Sequence, residues 1–332
     1  MILDVFDASQ VAAARRSASH LAKMGGMDEE SVGRVALIAT EMGTNLLKHA
    51  PGGRILLETF SDASGQGVEI MVVDQGGGIA DIGRALADGF STGGTAGQGL
   101  GAIRRQADHF DLVSRPQTGT AVMARVCRKP AFDNVAPLPT APLIGAVVGN
   151  ARGEEICGDA WAHADTALGQ TLLVVDGSGH GPLAAKAALA AVECFQARAA
   201  DSCVAIVEAI HRALAPTRGG AVAVARIDTA ARLVRFVGVG NIAGAVISGS
   251  DVRRMVSHNG TAGQIAPRIR EFTYPYEHRP TVLMHSDGLT AKWDLAAYPG
   301  LIASHPSLLA GVLYRDHYRS RDDVTVIALR AA

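Results

Sequence analysis

Two groups of polar residues stand out by type and spacing. In TEMGTNLLKHA, Glu41 and Asn45 lie four residues apart, and positions i and i+4 share one face of a helix. Asp74 ends the apolar run VEIMVVD and enters DQGGGI, and GQGLGA (Gly97–Ala102) opens the next helical pattern. A carboxylate and an amide on one helix, a carboxylate at a strand end and a bare helix N-terminus can form one pocket. The N-terminus would offer unpaired N–H groups to phosphate. Asp74 could accept a hydrogen bond from an exocyclic amine, and Asn45 supplies a neutral oxygen of the kind Mg²⁺ takes while sharing phosphate oxygens. Ten of the chain's 38 glycines fall between Asp74 and Ala102. They make either a flexible linker or a loop that lets backbone approach a ligand.

The second group consists of aspartates scattered along the other half. CGDAW carries Asp159, LLVVDGSGHG carries Asp176 and Gly177, VLMHSDGLT carries Asp287 and Gly288, and SRDDVTVIAL carries Asp322 and Asp323. Apolar strands that deliver aspartates to glycine turns are costly unless something binds there. Two carboxylates about 4 Å apart repel by roughly 4 kcal/mol at an effective dielectric near 20, and hard divalent cations relieve that repulsion. A single Asp-Gly is also an ordinary turn, and Asp176 could equally cap a helix. Ser178 and His180 suggest a serine hydrolase, but Asp176 stands where the first glycine of GxSxG should be. His163, His258 and His285 read as packing or surface residues.

These residues must be positioned by two sets of elements. The first half reads β-α-α-β-β, a glycine loop, then α-β-β. ILDVF is a short strand; Asp7 or Ser9 caps a helix to about Lys23; Asp28 caps a second, with Glu29 and Glu30 favourable in its first turn. That second helix has Val32, Val35, Ile38, Met42 and Leu46 at helical spacing. RILLETF, VEIMVVD, FDLVS and TAVMARV read as strands. The second half adds LIGAVVG, TLLVVD, GAVAVARID, RLVRFVGVG, GAVIS, TVLMHSD and VTVIAL as strands, with helices after Gly181 and Ser202, which suggests a two-sheet α/β sandwich. Between the halves, CRKPAFDNVAPLPTAPL carries Pro130, Pro137, Pro139 and Pro142, a semi-rigid linker. The expected organisation is residues 1–126, a linker at 127–142 and residues 143–332.

The 332 residues carry 48% hydrophobic and 19% charged residues and a net charge of −1, which describes well-cored domains with no electrostatic support for nucleic acid or anionic membrane. No apolar run approaches the ~18 residues of a membrane span, and MILDVFDASQ lacks the pattern of a signal peptide. Cys127, Cys157, Cys194 and Cys203 form no CxxC pair, so a reducing cytoplasm is expected rather than a disulfide framework. Of the common nucleotide motifs, the P-loop string is absent. GQGLGA fits a dinucleotide loop only loosely, since FSTGGTA rather than a strand precedes it and no acid stands near position 120.

With these motifs in place, the first ~126 residues resemble the GHKL ATPase fold, and within it the anti-sigma-factor serine kinases of the RsbW/RsbT type. ATEMGTNLLKHA resembles the N box, DQGGGI the adenine-binding G1 box, and STGGTAGQGLGA the ATP lid and G2 box; the spread of STGG leans toward RsbT. The resemblance implies ATP with Mg²⁺ as cofactor. It makes Glu41 the general base, Asn45 the Mg²⁺ ligand and Asp74 the adenine partner. Gly76 and Gly78 would let the chain pass the nucleotide, Gly97, Gly99 and Gly101 would approach the phosphates, and Thr120 would sit near adenine. No phosphoacceptor-histidine helix pair precedes the domain, which argues against a histidine kinase.

Residues from about Leu143 to Leu329 resemble the metal-dependent protein phosphatases of type two-C (PPM), in the SpoIIE/RsbX branch, through VVDGSGHG, HSDG and RDDVTVI. VGVGN (Val237–Asn241) is similar to that family's AGHN turn. The resemblance implies two Mn²⁺ or Mg²⁺ ions held by Asp159, Asp176, Asp287 and Asp322 with the Gly177 carbonyl. It implies in-line attack of water on phosphoserine or phosphothreonine, with His180 a candidate general acid and Asp323 behind the ligands. The fold expected is thus α/β (α+β), a GHKL-type α/β sandwich followed by a PPM-type β-sandwich flanked by helices. The function implied is a cytoplasmic kinase–phosphatase switch acting on a STAS-domain antagonist in stress or sigma-factor signalling. A sigma factor or stressosome component is a further implied partner, and a homodimer a further implied state. Two alternatives stand beside it, a phosphatase whose ATP-binding domain only binds or gates a partner, and a module that sequesters a sigma factor.

Overall fold

The computed structural model describes residues 1–86, 99–129 and 142–332. Residues 87–98, which hold Gly97 and most of the segment expected to be an ATP lid, and most of the proline-rich linker lie outside the described residues. The chain forms two compact units, one of Met1–Thr140 with Tyr298–Arg315, the other of Ala141–Ala297 with Asp316–Ala332.

The first unit runs β1 (Ile2–Val5), α1 (Ala8–Met24), α2 (Glu29–His49), β2 (Gly53–Asp62), β3 (Gly65–Asp74), α3 (Ile82–Leu86), α4 (Leu100–Gln106), β4 (His109–Arg115) and β5 (Gly119–Cys127). The expected order is there, with α3 as an additional short helix. Local chemistry sets the helix starts. Asp7 closes a capping box with Gln10 at α1, and Asp28 accepts from the Ser31 N–H at α2, each satisfying donors the helix leaves unpaired. The strands pair antiparallel in the order β1-β2-β3-β5-β4. One face of the sheet packs on the helices through Val35, Ile38, Met42, Leu46, Ile55, Ile70, Val72 and Ile103.

The opposite face carries charge. Arg125 on β5 stands opposite Glu69 on β3. It donates to Glu69 at 2.6 Å and to Asp62 at 2.7 Å, although Arg125 is only 1% exposed. Ser307 also donates to Glu69, at 2.6 Å, and the His305 N–H donates to Asp111 at 2.7 Å. These residues belong to Tyr298–Arg315, which holds most of helix α7 (Pro306–His317). The sequence division puts this segment in the second domain; the structure packs it with the first unit. The physical reason lies in Glu69 and Asp62, buried carboxylates that need donors.

The second unit contains β6 (Leu143–Gly149), β7 (Asp159–Thr166), β8 (Gly169–Gly177), α5 (Pro182–Arg198), α6 (Cys203–Ala213), β9 (Gly220–Asp228), β10 (Leu233–Val239), β11 (Ala243–Ser248), β12 (Asp251–Met255), β13 (Phe272–Pro275), β14 (Pro280–His285) and β15 (Val324–Arg330). Two five-stranded sheets result, β13-β10-β9-β8-β7 and β12-β11-β14-β15-β6. A core of Leu172, Val174, Phe236, Val246, Met284 and Ile327 lies between them. Alanine-rich α5 and α6 cover the first sheet through Ala187, Ala191, Phe195, Ile206 and Ile210. The sandwich is the expected one, with β7, β12 and β13 additional to the strands legible in the sequence.

Candidate active sites

In the first unit a cavity of 480 Å³ is lined by Asn45, Lys48 and His49 of α2, Asp74 at the end of β3, Gly78 and Ile79, Gly99 and Leu100 at the start of α4, and Thr120 of β5. Met42, Leu46, Val72, Ile103 and Val122 give it apolar walls. Helical periodicity brings Asn45 to the wall, and strand register brings Asp74 and Thr120 there from neighbouring strands. Burial pushes the Asp74 carboxyl above its ordinary range, against the backbone N–H groups of Gly76 and Thr120, which favour the anion. Thr120 shares a 2.8 Å hydrogen bond with Ser114, and the Ser114 hydroxyl accepts the Ile79 N–H at 2.8 Å. The turn after Asp74 is thereby tied to the hairpin carrying Thr120. Ser114, absent from the sequence reading, is visible only once β4 and β5 are paired.

Asn45, Asp74, Gly78, Gly99 and Thr120 thus share one cavity. Among the described residues Glu41, Gly76 and Gly101 are not on its wall. Gly76 donates its N–H to Asp74 at 2.7 Å. Gly78 has φ +67°, and a Cβ there would meet the Arg115 carbonyl oxygen at 2.0 Å, so contact with protein alone demands glycine at that position. An acceptor among apolar walls, with Lys48 and Asn45 nearby, suits a purine and its phosphates.

In the second unit the aspartates stand at strand ends. Asp159 opens β7 and Asp176 closes β8, and the two are register partners, so their side chains leave one face of the sheet. Burial, then the charge of Asp159, Asp287 and Asp322, pushes Asp176 up to about 8. Burial pushes Asp159 to about 7 despite the hydrogen bond from Ser286. Burial and Asp322 also raise Asp287. The charge of Asp322 thus reaches Asp159, Asp176 and Asp287, and that of Asp159 and Asp287 reaches Asp176. Among the described residues, however, no three acidic, histidine or cysteine side chains close on a single point as ligands of one ion do. Local donors hold them instead. Asp159 accepts from Ser286 at 2.5 Å, Asp287 from Asn241 at 2.7 Å, and Asp322 from the Asp323 N–H at 2.9 Å. The Asp176 carboxylate accepts no hydrogen bond among the described residues. The all-oxygen donor set is of the chemical type that hard divalent cations take, although these side chains do not converge on one point.

Supporting residues complete the site. Asp323, 2% exposed, accepts the Ala151 and Gly158 N–H groups, each at 2.7 Å, and so fixes the loop leading to Asp159. Ser286 accepts the Thr325 N–H at 2.9 Å while donating to Asp159. Asn241 was legible in VGVGN; Ser286, one residue before Asp287, was not. Gly177 leaves no room for a side chain, since a Cβ would meet the Ala184 carbonyl oxygen at 2.2 Å. His180 is exposed and meets Glu154 at 2.6 Å; no contact joins it to the carboxylates among the described residues. His285 is packed, its Nε2 accepting from Trp293 at 3.0 Å, and burial holds its pKa down to about 4.

The fold and sites define a two-domain enzyme of protein phosphorylation, with an ATP-binding kinase-like domain and a PPM-type Ser/Thr phosphatase domain. Residues 5–126 match the histidine kinase-like ATPase domain family, and residues 169–332 match stage II sporulation protein E (SpoIIE). Over 114 residues the chain is 35% identical to the serine/threonine-protein kinase RsbT of Bacillus subtilis (strain 168), covering 34% of this chain and 86% of that protein. Through its N-terminal domain the chain belongs to the RsbT serine/threonine-protein kinase family. A solved structure from work on the bacterial stressosome as a modular system adapted to control secondary messenger signaling has 29% identity and a TM-score of 0.53, over 57% of this chain and 99% of that one. RsbX in complex with magnesium, at 22% identity and a TM-score of 0.50 over 56% and 94%, shares the fold. Among the described residues no helix is long and apolar enough to cross a membrane.

Proposed function

We propose that the chain is a bifunctional switch. Its N-terminal domain transfers the γ-phosphate of ATP to a serine or threonine of a STAS-type antagonist, and its C-terminal domain removes phosphate from that antagonist or a close relative, in a cytoplasmic partner-switching pathway. The observation that supports this reading is the presence in one chain of two candidate centres. One is the cavity shared by Asn45, Asp74, Gly99 and Thr120; the other is the set of carboxylates around Asp176. In the first, Asp74 would select the base, Asn45 would hold Mg²⁺, and Glu41, four residues before Asn45 on α2, would take the hydroxyl proton, so that catalysis is chiefly positioning and charge compensation. In the second, the four aspartates would hold Mn²⁺ or Mg²⁺. Two opposed activities on one chain imply that ligand state or partner geometry favours one at a time.

The test is mass spectrometry of a STAS protein incubated with the full chain, ATP and Mn²⁺, comparing wild type with Asp176→Asn. Phosphate accumulating only with the variant supports both activities; a substrate left unmodified by both proteins removes the kinase half. A second reading, in which the N-terminal domain binds ATP without transferring phosphate, draws on the place of Glu41 away from the cavity wall among the described residues. Glu41→Ala separates the two, because it abolishes phosphotransfer with ATP affinity unchanged if Glu41 is the base, and changes neither if the domain only binds.

A further inference from the structure

The carboxylates of the second unit account for cations but leave open what receives the phosphate of an incoming phosphoserine. Three strand ends meet at this end of the sheet. Asp159 begins β7, Asp176 and Gly177 end β8, and Gly220, the register partner of Gly177, begins β9. Two residues before Gly220 stands Arg218. The residue that follows it is held by two hydrogen bonds. Gly219, at φ +72°, accepts the Ser178 N–H at 2.9 Å through its carbonyl and donates its own N–H to the Thr217 hydroxyl at 2.9 Å. Arg218 is therefore locked beside the DGSGHG turn by the same ladder that positions Asp176.

Its side chain is exposed and lies over that turn. A Cβ built on Gly179, three residues after Asp176, would be 3.4 Å from the Arg218 Nη1. Among the described residues the guanidinium has no carboxylate, carbonyl or ring partner. This sets it apart from most arginines of the unit. Arg226 is held by Thr171 and the Ala199 carbonyl, Arg235 by Asp228 and Glu271, and Arg254 by the Trp293 ring and carbonyl. Arg319 is also exposed, but its charge acts on Asp287, lowering that carboxyl. An unpaired guanidinium beside the turn that follows Asp176 suits a phosphate monoester, whose non-bridging oxygens match the arginine fork in two parallel hydrogen bonds. It also offers the one thing the carboxylates cannot, attraction for a dianion.

We propose that Arg218 is the residue that binds the phosphoryl group of the substrate phosphomonoester in the phosphatase domain. This rests on the phosphatase reading and adds to it a binding residue that the acidic motifs do not contain. Arg218 acts on capture of the phosphate and not on the cations.

The experiment measures Mn²⁺-dependent hydrolysis of p-nitrophenyl phosphate by the full chain, with inorganic phosphate as competitive inhibitor. The proteins compared are wild type, Arg218→Ala, Arg218→Lys and, as an exposed arginine of helix α6, Arg212→Ala. Loss of a charge-assisted bidentate contact raises KM and the inhibition constant of phosphate together by about tenfold or more. Arg218→Lys, which keeps the charge and loses the fork, recovers part of this, and Arg212→Ala matches wild type. The Mn²⁺ concentration at half activation stays at the wild-type value in every variant. Wild-type KM and phosphate inhibition in Arg218→Ala overturn the inference while leaving the phosphatase reading standing. So does a change confined to the Mn²⁺ requirement. If wild type hydrolyses no more than Asp176→Asn, the phosphatase reading falls and the inference with it.

Discussion

The cavity of the first unit and the aspartates of the second satisfy their carboxylates by opposite electrostatic means. In the cavity the Asp74 carboxylate is raised by burial, but backbone N–H groups of Gly76 and Thr120 stabilise its charged form. Apolar residues make most of the remaining wall. That arrangement is satisfied by its own backbone before any ligand enters. In the cluster, carboxylates are buried against one another, and Asp159 and Asp176 are raised to about 7 and 8. Ser286 and Asn241 occupy some of their oxygens, and Arg319 offsets the charge of Asp287 only in part. The difference shows where each site depends on its ligand. Under the proposed function, nucleotide would enter a site already organised, whereas the aspartates would gain their counter-charge from divalent cations.

The sharpest way to break this contrast is to remove one carboxylate. Asp176→Asn lowers Mn²⁺-dependent hydrolysis of p-nitrophenyl phosphate by at least about 100-fold. It also reduces the rise in Tm that Mn²⁺ gives the wild type, while ATP affinity measured by calorimetry is unchanged. An undiminished Mn²⁺ shift in the variant would contradict the assignment of Asp176 as a ligand. Next in size is the buried pair on the charged face of the first sheet. Arg125→Ala leaves Glu69 and Asp62 buried without their cation and costs about 3–5 kcal/mol, read in urea unfolding of the full chain. Arg125→Lys restores little, since one ammonium cannot reproduce the fork to both acids.

The cavity is tested more gently. Asp74→Asn keeps the shape of the side chain but loses the charged acceptor, and weakens Mg²⁺–ATP binding by about tenfold. Equal affinity in the two proteins would move the base-recognition role elsewhere. The smallest expected effect is at the start of α2. The Ser31 hydrogen bonds and Lys129 lower Asp28 from 3.8 to about 2. A carboxyl lowered on folding contributes stability that is fully present above its unfolded value and is lost as pH falls through its folded value. The contribution of Asp28 is thus intact above pH 4 and disappears toward pH 2. Asp28→Asn, which keeps a capping oxygen, therefore shows a smaller loss of Tm between pH 4 and pH 2 than wild type does.

Much of this molecule was legible residue by residue. Asp7 and Asp28 mark helix starts through short-range hydrogen bonding, and Val35, Ile38, Met42 and Leu46 announce the buried face of α2. Alternation and apolar runs identify β2, β3, β5, β8 and β9. The strand β7, DAWAHADT, was missed because its polar and small residues give no periodic signal; pairing with β8 makes it a strand. Helix α7 was missed for a related reason. Residues Pro306 to Tyr314 are all buried, so the segment lacks the polar face that marks an amphipathic helix.

The sequence by itself determined the chemical types, because a carboxylate after an apolar run, an amide one turn from an acid, or a glycine after an aspartate is a property of neighbours along the chain. Tertiary structure decided which of these groups meet. Ser286 reaches Asp159 across 127 residues and Asn241 reaches Asp287 across 46, while Ser307 joins Glu69 across 238. Such contacts depend on strand register and on the need of buried charges for donors, which are settled only when distant segments pack together.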